Sequence, residues 1–244
     1  MGLPISVGRG EPFGHRRRES PKAGVWDKGY KVRALVVYCH PRADSFTAAV
    51  RDQVLAALDG AGAQHRLHDL YGMGFDPVLS ERAHRDYEDP AKNRDGIEAE
   101  CADLLWADTL IFVYPTWWYG LPAMLKGWMD RLLLPDLAFL MPRSEGEDIR
   151  PGLGHITRIG VFTTCGASRW LTLIVGAPGR RTLMRGLGFL IARRAARVYA
   201  AHYLMDSSTP ESRARHLDLV DRKIARLIAA RAPGPALRPK ETQA

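Results

Sequence analysis

The chain has 244 residues, nearly half of them hydrophobic, enough for one well-cored domain or two small ones. Its formal net charge of +8 sits mainly at the ends: residues 1–33 carry eight Lys/Arg against three Asp/Glu and residues 231–244 carry three against one, so the near-neutral body offers no phosphate-neutralising face for nucleic acid. No apolar run approaches the roughly 20 residues of an integral membrane segment, no apolar stretch follows the basic N-terminus as a secretory signal requires, and Cys39, Cys101 and Cys165 form no CxxC pair, which together predict a cytoplasmic protein.

Residues 1–31 mix Gly, Pro, Arg and Lys without apolar periodicity and are read as a disordered basic extension. Glu11, Glu19 and Asp27 dilute any transit-peptide character. Residues 33–39 (RALVVYC) predict the first buried strand. The loop 40–44 (HPRAD) follows, then a helix over 45–58 with Asp44 or Ser45 as N-cap. A strand–loop–helix of this kind points backbone N–H groups and the positive end of a macrodipole into the loop, where an anion is stabilised. His40, Ser45 and Thr47 add side-chain donors there. The loop has neither the glycine pattern of a dinucleotide fingerprint nor the Gly-Lys-Ser/Thr of a P-loop.

Residues 64–70 predict a second, more exposed strand. His65 and His68 stand three apart, so a strand sends them to opposite faces and they make no metal pair; both are read as exposed. Residues 71–96 predict an irregular excursion with a short helix at 80–88, and residues 95–106 a helix leading into a central strand at 108–114.

The most informative stretch begins there. The apolar run DTLIFVY meets Pro115, then Trp117, Trp118 and Tyr119, then Gly120 and Pro122, and a helix over 121–134. This places an aromatic cluster on a loop at the carboxyl end of a central strand, the edge where ligands bind in open α/β sheets. Three adjacent bulky aromatics cannot all point into a core, and together they suit a flat, hydrophobic ligand. In the following helix Met124, Leu125, Trp128 and Leu132 recur at helical spacing, so Trp128 is read as core.

Residues 142–154 predict a surface loop and 155–164 the fourth strand, ending in Thr163, Thr164, Cys165 and Gly166, small residues that let a ligand approach the backbone. Cys165 has no histidine partner visible in sequence and is read as a small residue rather than a nucleophile. Residues 169–188 are helical in part, broken at Gly176 to Gly179. Residues 195–204 predict the fifth strand, and 209–231 an amphipathic closing helix with Thr209 as N-cap and Pro210 at its first position. Residues 232–244 are a flexible tail. Strand and helix alternate five times, which predicts a parallel sheet covered on both faces.

Over roughly residues 32–231 the chain resembles the flavodoxin-like NAD(P)H:quinone reductases. The motif after strand one, His then Ser-Phe, stands as His40 with Ser45 and Phe46. The motif after strand three stands as Pro115-Thr116-Trp117-Trp118-Tyr119-Gly120-Leu121-Pro122-Ala123, then Leu125-Lys126-Gly127-Trp128. The resemblance implies a flavodoxin-like, doubly wound five-stranded parallel sheet of order 2-1-3-4-5 with helices on both faces. It implies FAD or FMN as cofactor, NAD(P)H as transient co-substrate, and a quinone or similar aromatic acceptor. Electrons pass in two-electron, ping-pong fashion, and the protein is a homodimer.

Carried over by position, His40, Ser45, Phe46 and Thr47 hold the flavin phosphate. Pro115, Thr116, Trp117, Trp118 and Tyr119 line the ring, with Trp118 most exposed to it. Thr163, Thr164, Cys165 and Gly166 meet its polar edge. Trp118 and Trp170 are the residues assigned to catalysis, Trp170 standing where family members have a tyrosine that assists hydride transfer. Tyr119, Phe139 and Met141 are assigned to the acceptor pocket. The arginines between 169 and 197 are candidates for a 2′-phosphate. No metal is implied. The alternatives are an azo, nitro or flavin reductase of the same fold, an ancillary regulatory subunit of a potassium-efflux antiporter, and a flavodoxin-type electron carrier.

Overall fold

A computed structural model describes residues 31–142 and 144–230. The expectations for the basic extension and the C-terminal tail fall outside these residues. In chain order the elements are β1 (Arg33–Tyr38), α1 (Phe46–Gly60), β2 (Gln64–Asp69), α2 (Glu81–Arg85), α3 (Glu98–Trp106), β3 (Thr109–Thr116) and α4 (Ala123–Leu132). They continue with β4 (Phe139–Leu140), β5 (Arg150–Pro151), β6 (Arg158–Cys165), α5 (Arg169–Ile174), α6 (Pro178–Arg181), β7 (Ala196–His202) and α7 (Pro210–Ala229).

The main sheet runs β2-β1-β3-β6-β7 with every pair parallel, the order expected from the sequence. Its middle strands are buried along almost their whole length, as their unbroken apolar runs require. On one face, Val50, Val54 and Leu58 of α1 and Val220, Ile224 and Leu227 of α7 pack on Val36, Ile111 and Phe162 of the sheet. On the other, Leu104 of α3 and Leu125, Trp128 and Leu132 of α4 pack on Val37, Phe112 and Val161. Each fully buried side chain of this size contributes about 1.5–3 kcal/mol of transfer free energy. Gly127 lets α4 lie against the preceding excursion: a Cβ there would stand 2.3 Å from Pro77 Cβ.

Several boundaries differ from expectation. β3 does not stop before Pro115 but runs through it to Thr116. Val113 O accepts from Cys39 N at 3.0 Å, so alternate residues of β3 face β1, which ends at Tyr38. The N–H that Pro115 lacks would have pointed past the end of β1, so its loss breaks no ladder bond. The fourth strand of the sheet begins at Arg158 rather than 155, and the predicted loop contains β5, paired antiparallel with β4.

His68 is not exposed. It is buried against Trp128, whose Nε1–H donates to His68 Nδ1 at 3.3 Å, while Nε2 lies 3.0 Å from Asp103 Oδ2. An accepting Nδ1 puts the ring proton on Nε2, which donates to Asp103. Tertiary packing of α3 and α4 buried a polar residue that its own strand marked as a surface position. His65 is half-buried rather than exposed, with Nε2 2.9 Å from the exposed Asp59.

Candidate functional site

The loops after β1, β3 and β6 converge at the carboxyl edge of the sheet. With the segment between β7 and α7 they enclose a cavity of about 860 Å³. That is within the range of small-molecule and cofactor sites.

One wall is the start of α1. Ser45 caps it, its Oγ accepting from Ala48 N at 3.1 Å. Thr47, the second residue of α1, reaches across to Thr164, with the two Oγ1 atoms 2.9 Å apart. His40 Nδ1 lies 3.0 Å from the Arg42 amide nitrogen. Burial lowers the His40 pKa, so the ring is neutral near pH 7. The same Nδ1 lies 3.1 Å from the Arg42 carbonyl oxygen, so this stretch of backbone holds the ring whichever nitrogen carries the proton. Arg42 and Asp44 form an exposed two-bond pair at 2.9 and 2.7 Å, and the guanidinium holds the Asp44 carboxyl below its usual range.

The opposite wall is the aromatic turn. Gly120 N donates to Trp117 O at 3.0 Å, and the two central residues have positive φ, 50° at Trp118 and 61° at Tyr119. These are the φ signs of a type I′ turn, a conformation ordinarily taken by Asn and Gly. Each non-glycine residue held there costs about 1–2 kcal/mol. The turn leaves the Trp118 side chain out of the core, 96% exposed. Local strain combined with an unburied indole marks a feature kept for something other than folding.

Cys165, Gly166 and Ala167 form the floor after β6. A Cβ on Gly166 would approach Asp206 Oδ2 to 3.3 Å, narrowing the cavity. Burial holds Cys165 apart from solvent, its Sγ 3.8 Å from Thr172 Oγ1. Arg213, in the first turn of α7, closes the far end. Its Nε donates to Ser208 Oγ at 2.9 Å and its guanidinium lies over Phe46, 5.8 Å from the ring centroid. Among the described residues no carboxylate pairs with Arg213.

The structure therefore brings His40, Ser45, Phe46, Thr47, Pro115, Thr116, Trp117, Trp118, Tyr119, Thr164, Cys165 and Gly166 to one cavity. It does not bring Thr163, Trp170, Phe139 or Met141 to the same wall. Thr163 is buried behind Thr116, the oxygens 2.8 Å apart. Trp170 stands on α5, 72% exposed. Phe139, the first residue of β4, packs partly on the core and Met141 is at the surface. Sequence reasoning missed Arg42, Asp44, Met205, Asp206 and Arg213. Arg42 and Asp44 lay inside a loop already singled out. Arg213 gave no local signal, because only the return of α7 across the sheet carries it to the cavity.

Comparison with known proteins agrees with this architecture. A family model described as a flavodoxin-like fold matches residues 32–187. An uncharacterized NAD(P)H oxidoreductase of Escherichia coli (strain K12) is 36% identical over 108 residues, covering 44% of this chain and 55% of that protein. NAD(P)H dehydrogenase (quinone) 1 of Rattus norvegicus is 32% identical over 123 residues, covering 44% and 45%. The chain thus spans about half the length of the curated relatives it matches. Among solved structures, Smu.1420 of Streptococcus mutans UA159 superposes with a TM-score of 0.68 at 26% identity, covering 80% of this chain and 100% of that one. An NAD(P)H:quinone oxidoreductase of Methanothermobacter marburgensis gives 0.68 at 22% identity, with 80% and 98% covered, and shares the fold. The strand order, the cavity at the strand ends and the family match over most of the described residues converge, and the chain belongs to the flavodoxin-like fold family.

Proposed function

We propose that the protein is a flavin-dependent NAD(P)H oxidoreductase that reduces quinones by two electrons. The observation that carries this reading is the cavity itself: an anion-binding helix start and a strained aromatic turn face each other across one space. The donor set fits a flavin. The capped start of α1, with His40 and Thr47, suits a phosphate, and the Trp117–Trp118–Tyr119 wall suits a planar ring. The relatives named as NAD(P)H oxidoreductases support the nicotinamide half of the proposal.

When bound, a flavin accepts a hydride from a reduced nicotinamide and passes it to an acceptor at the same face. This chain's residues supply binding and orientation. Ser45, Phe46 and Thr47 position the phosphate, and neutral His40 lines the same wall without introducing a charge that would have to be desolvated. Pro115 to Tyr119 form a dry wall that fixes the ring for face-on transfer. The backbone around Cys165 and Gly166 offers fixed donors to its polar edge. Arg213 also lines the cavity, and a cation there suits the second phosphate of FAD. The exposed Arg180 and Arg181, next to Gly179 whose N–H faces Tyr119 O of the aromatic turn, favour NADPH over NADH.

We further propose a homodimer. α5 presents Trp170, Leu173 and Ile174 to solvent, and Phe189 after it is 78% exposed. Apolar surface of this kind marks an interface. The roles that the resemblance assigns, catalysis for Trp170 and the acceptor pocket for Phe139 and Met141, would then require a second copy to meet them at its own cavity. No helix among the described residues is long and apolar enough to cross a membrane. The free state of Cys39, Cys101 and Cys165 suits a reducing compartment such as the cytoplasm.

Purification tests the core of this reading. The expected protein is yellow or becomes yellow on incubation with FAD or FMN; protein that stays colourless after both incubations contradicts it.

A further inference from the structure

The aromatic turn lies past the end of β3 in a strained conformation, and strain of that kind persists only where the surroundings impose it. Burial of Trp118 does not impose it, since that side chain is 96% exposed. Contacts reach the turn from distant parts of the chain. His40 stands beside Trp117, ring centroids 6.2 Å apart. The backbone of α6 comes closer. Gly179 N donates to Tyr119 O at 3.4 Å. A Cβ added at Gly179 would stand 3.2 Å from the carbonyl carbon of Gly120 and 3.4 Å from Gly120 O and Leu121 Cδ2.

The sequence before Gly179 explains how α6 arrives there. After α5, Gly176 at φ 91° and Ala177 at φ 46° take the left-handed region in succession and turn the chain. Ala177 N donates back to Thr172 O at 2.8 Å, and Pro178 fixes the first residue of α6. Arg180 lies over the Tyr199 ring, 4.8 Å from its centroid, which ties α6 to β7. Gly179 is the buried residue of α6, between the exposed Pro178 and Arg180. Only a residue without a side chain allows backbone to approach backbone this closely.

We propose that Gly179 is a positioning residue whose backbone braces the aromatic turn and so holds Trp118 in one place at the cavity. The consequence for function rests on the reading that a flavin occupies that cavity. A wall fixed before the ring arrives loses no binding energy to ordering itself. Gly179 is not among the residues that line the cavity, so it acts through the turn. An added methyl at this position makes the Gly120 backbone give by a few tenths of an ångström, and Trp118 moves with it.

The test uses the full chain, with flavin affinity and the urea midpoint measured for Gly179→Ala, Trp118→Ala and the two combined. Gly179→Ala should weaken flavin roughly tenfold, because small misplacements of a positioning wall are costly. In the Trp118→Ala background the same change should cost nothing further, since the group it positions is gone. Gly186→Ala is the control: its φ of −56° suits alanine and its Cβ meets nothing within 4 Å, so affinity should stay at the parent value. Pro178→Ala frees the start of α6 without adding an atom to the contact, so it serves if Gly179→Ala fails to fold. It should weaken flavin by a smaller factor, again only when Trp118 is present. Losses that multiply in the combined variants, or flavin held by Gly179→Ala as tightly as by the parent, overturn this inference and leave the flavin reading standing. A parent protein that takes up no flavin overturns both.

Discussion

Trp118 concentrates the argument at the scale of single residues. It sits at φ 50° with its indole 96% exposed, so folding gains nothing from it and the backbone is strained by it. Trp118→Gly should therefore raise the thermodynamic stability of the flavin-free protein by about 1 kcal/mol in urea unfolding, because glycine takes that φ without penalty. The same change should weaken flavin binding. A variant that loses stability, or that holds flavin as tightly as the parent, would place the ring elsewhere. Gly127 makes the opposite case. With Pro77 Cβ only 2.3 Å from a notional Cβ, Gly127→Ala forces α4 off the excursion before it. The expected cost is about 1–3 kcal/mol, read as a fall in the urea midpoint. The glycine in the motif Leu125-Lys126-Gly127-Trp128 is thus a packing residue.

Elements explain both what the sequence revealed and what it hid. The alternation of buried strands with capped helices was legible, because each signal is local, as in the caps Ser45 of α1 and Thr209 of α7; the Ser168 cap of α5 and the Ser212 half of the α7 capping box were not picked out. The aromatic turn was legible as a loop, since Pro115 and Gly120 punctuate it. Hidden were the contacts that need two distant elements. Thr163 faces Thr116 rather than the cavity, and His68 is buried by α3 and α4. The pairing of His202 on β7 with His216 on α7 is another such contact, ring centroids 5.2 Å apart, behind Phe46. Each ring has a buried nitrogen without a partner, His202 Nδ1 and His216 Nε2. Burial lowers both pKa values, that of His216 to about 4, and the Arg213 charge adds to the effect at His202. Folded pKa values below the ordinary 6.5 mean that the unfolded chain binds more protons as pH falls. The stabilisation is complete above 6.5 and is lost as pH drops from there toward 4. Unfolding free energies measured across that window should fall with acid, and His216→Leu should flatten the slope. An equal slope in the variant would show that other groups carry the acid sensitivity.

For the whole molecule, the proposed activity depends on what completes the site. The cavity is formed within one chain, whereas the apolar side chains of α5 and Phe189 have no cover among the described residues. If a second copy covers them, Trp170→Glu should convert dimer to monomer in sedimentation velocity and lower quinone turnover more than flavin content. A parent protein that sediments as a monomer at micromolar concentration would remove the dimer from the account. The central claim is that the strand-end cavity carries electrons from a nicotinamide to an acceptor on a bound flavin. Anaerobic mixing tests it most directly, with the flavin absorbance followed as NADPH and then a quinone are added in sequence. Bleaching by the first and recovery of colour with the second, without the two substrates present together, is the predicted result; flavin that stays oxidised under excess NADPH and NADH alike would contradict it.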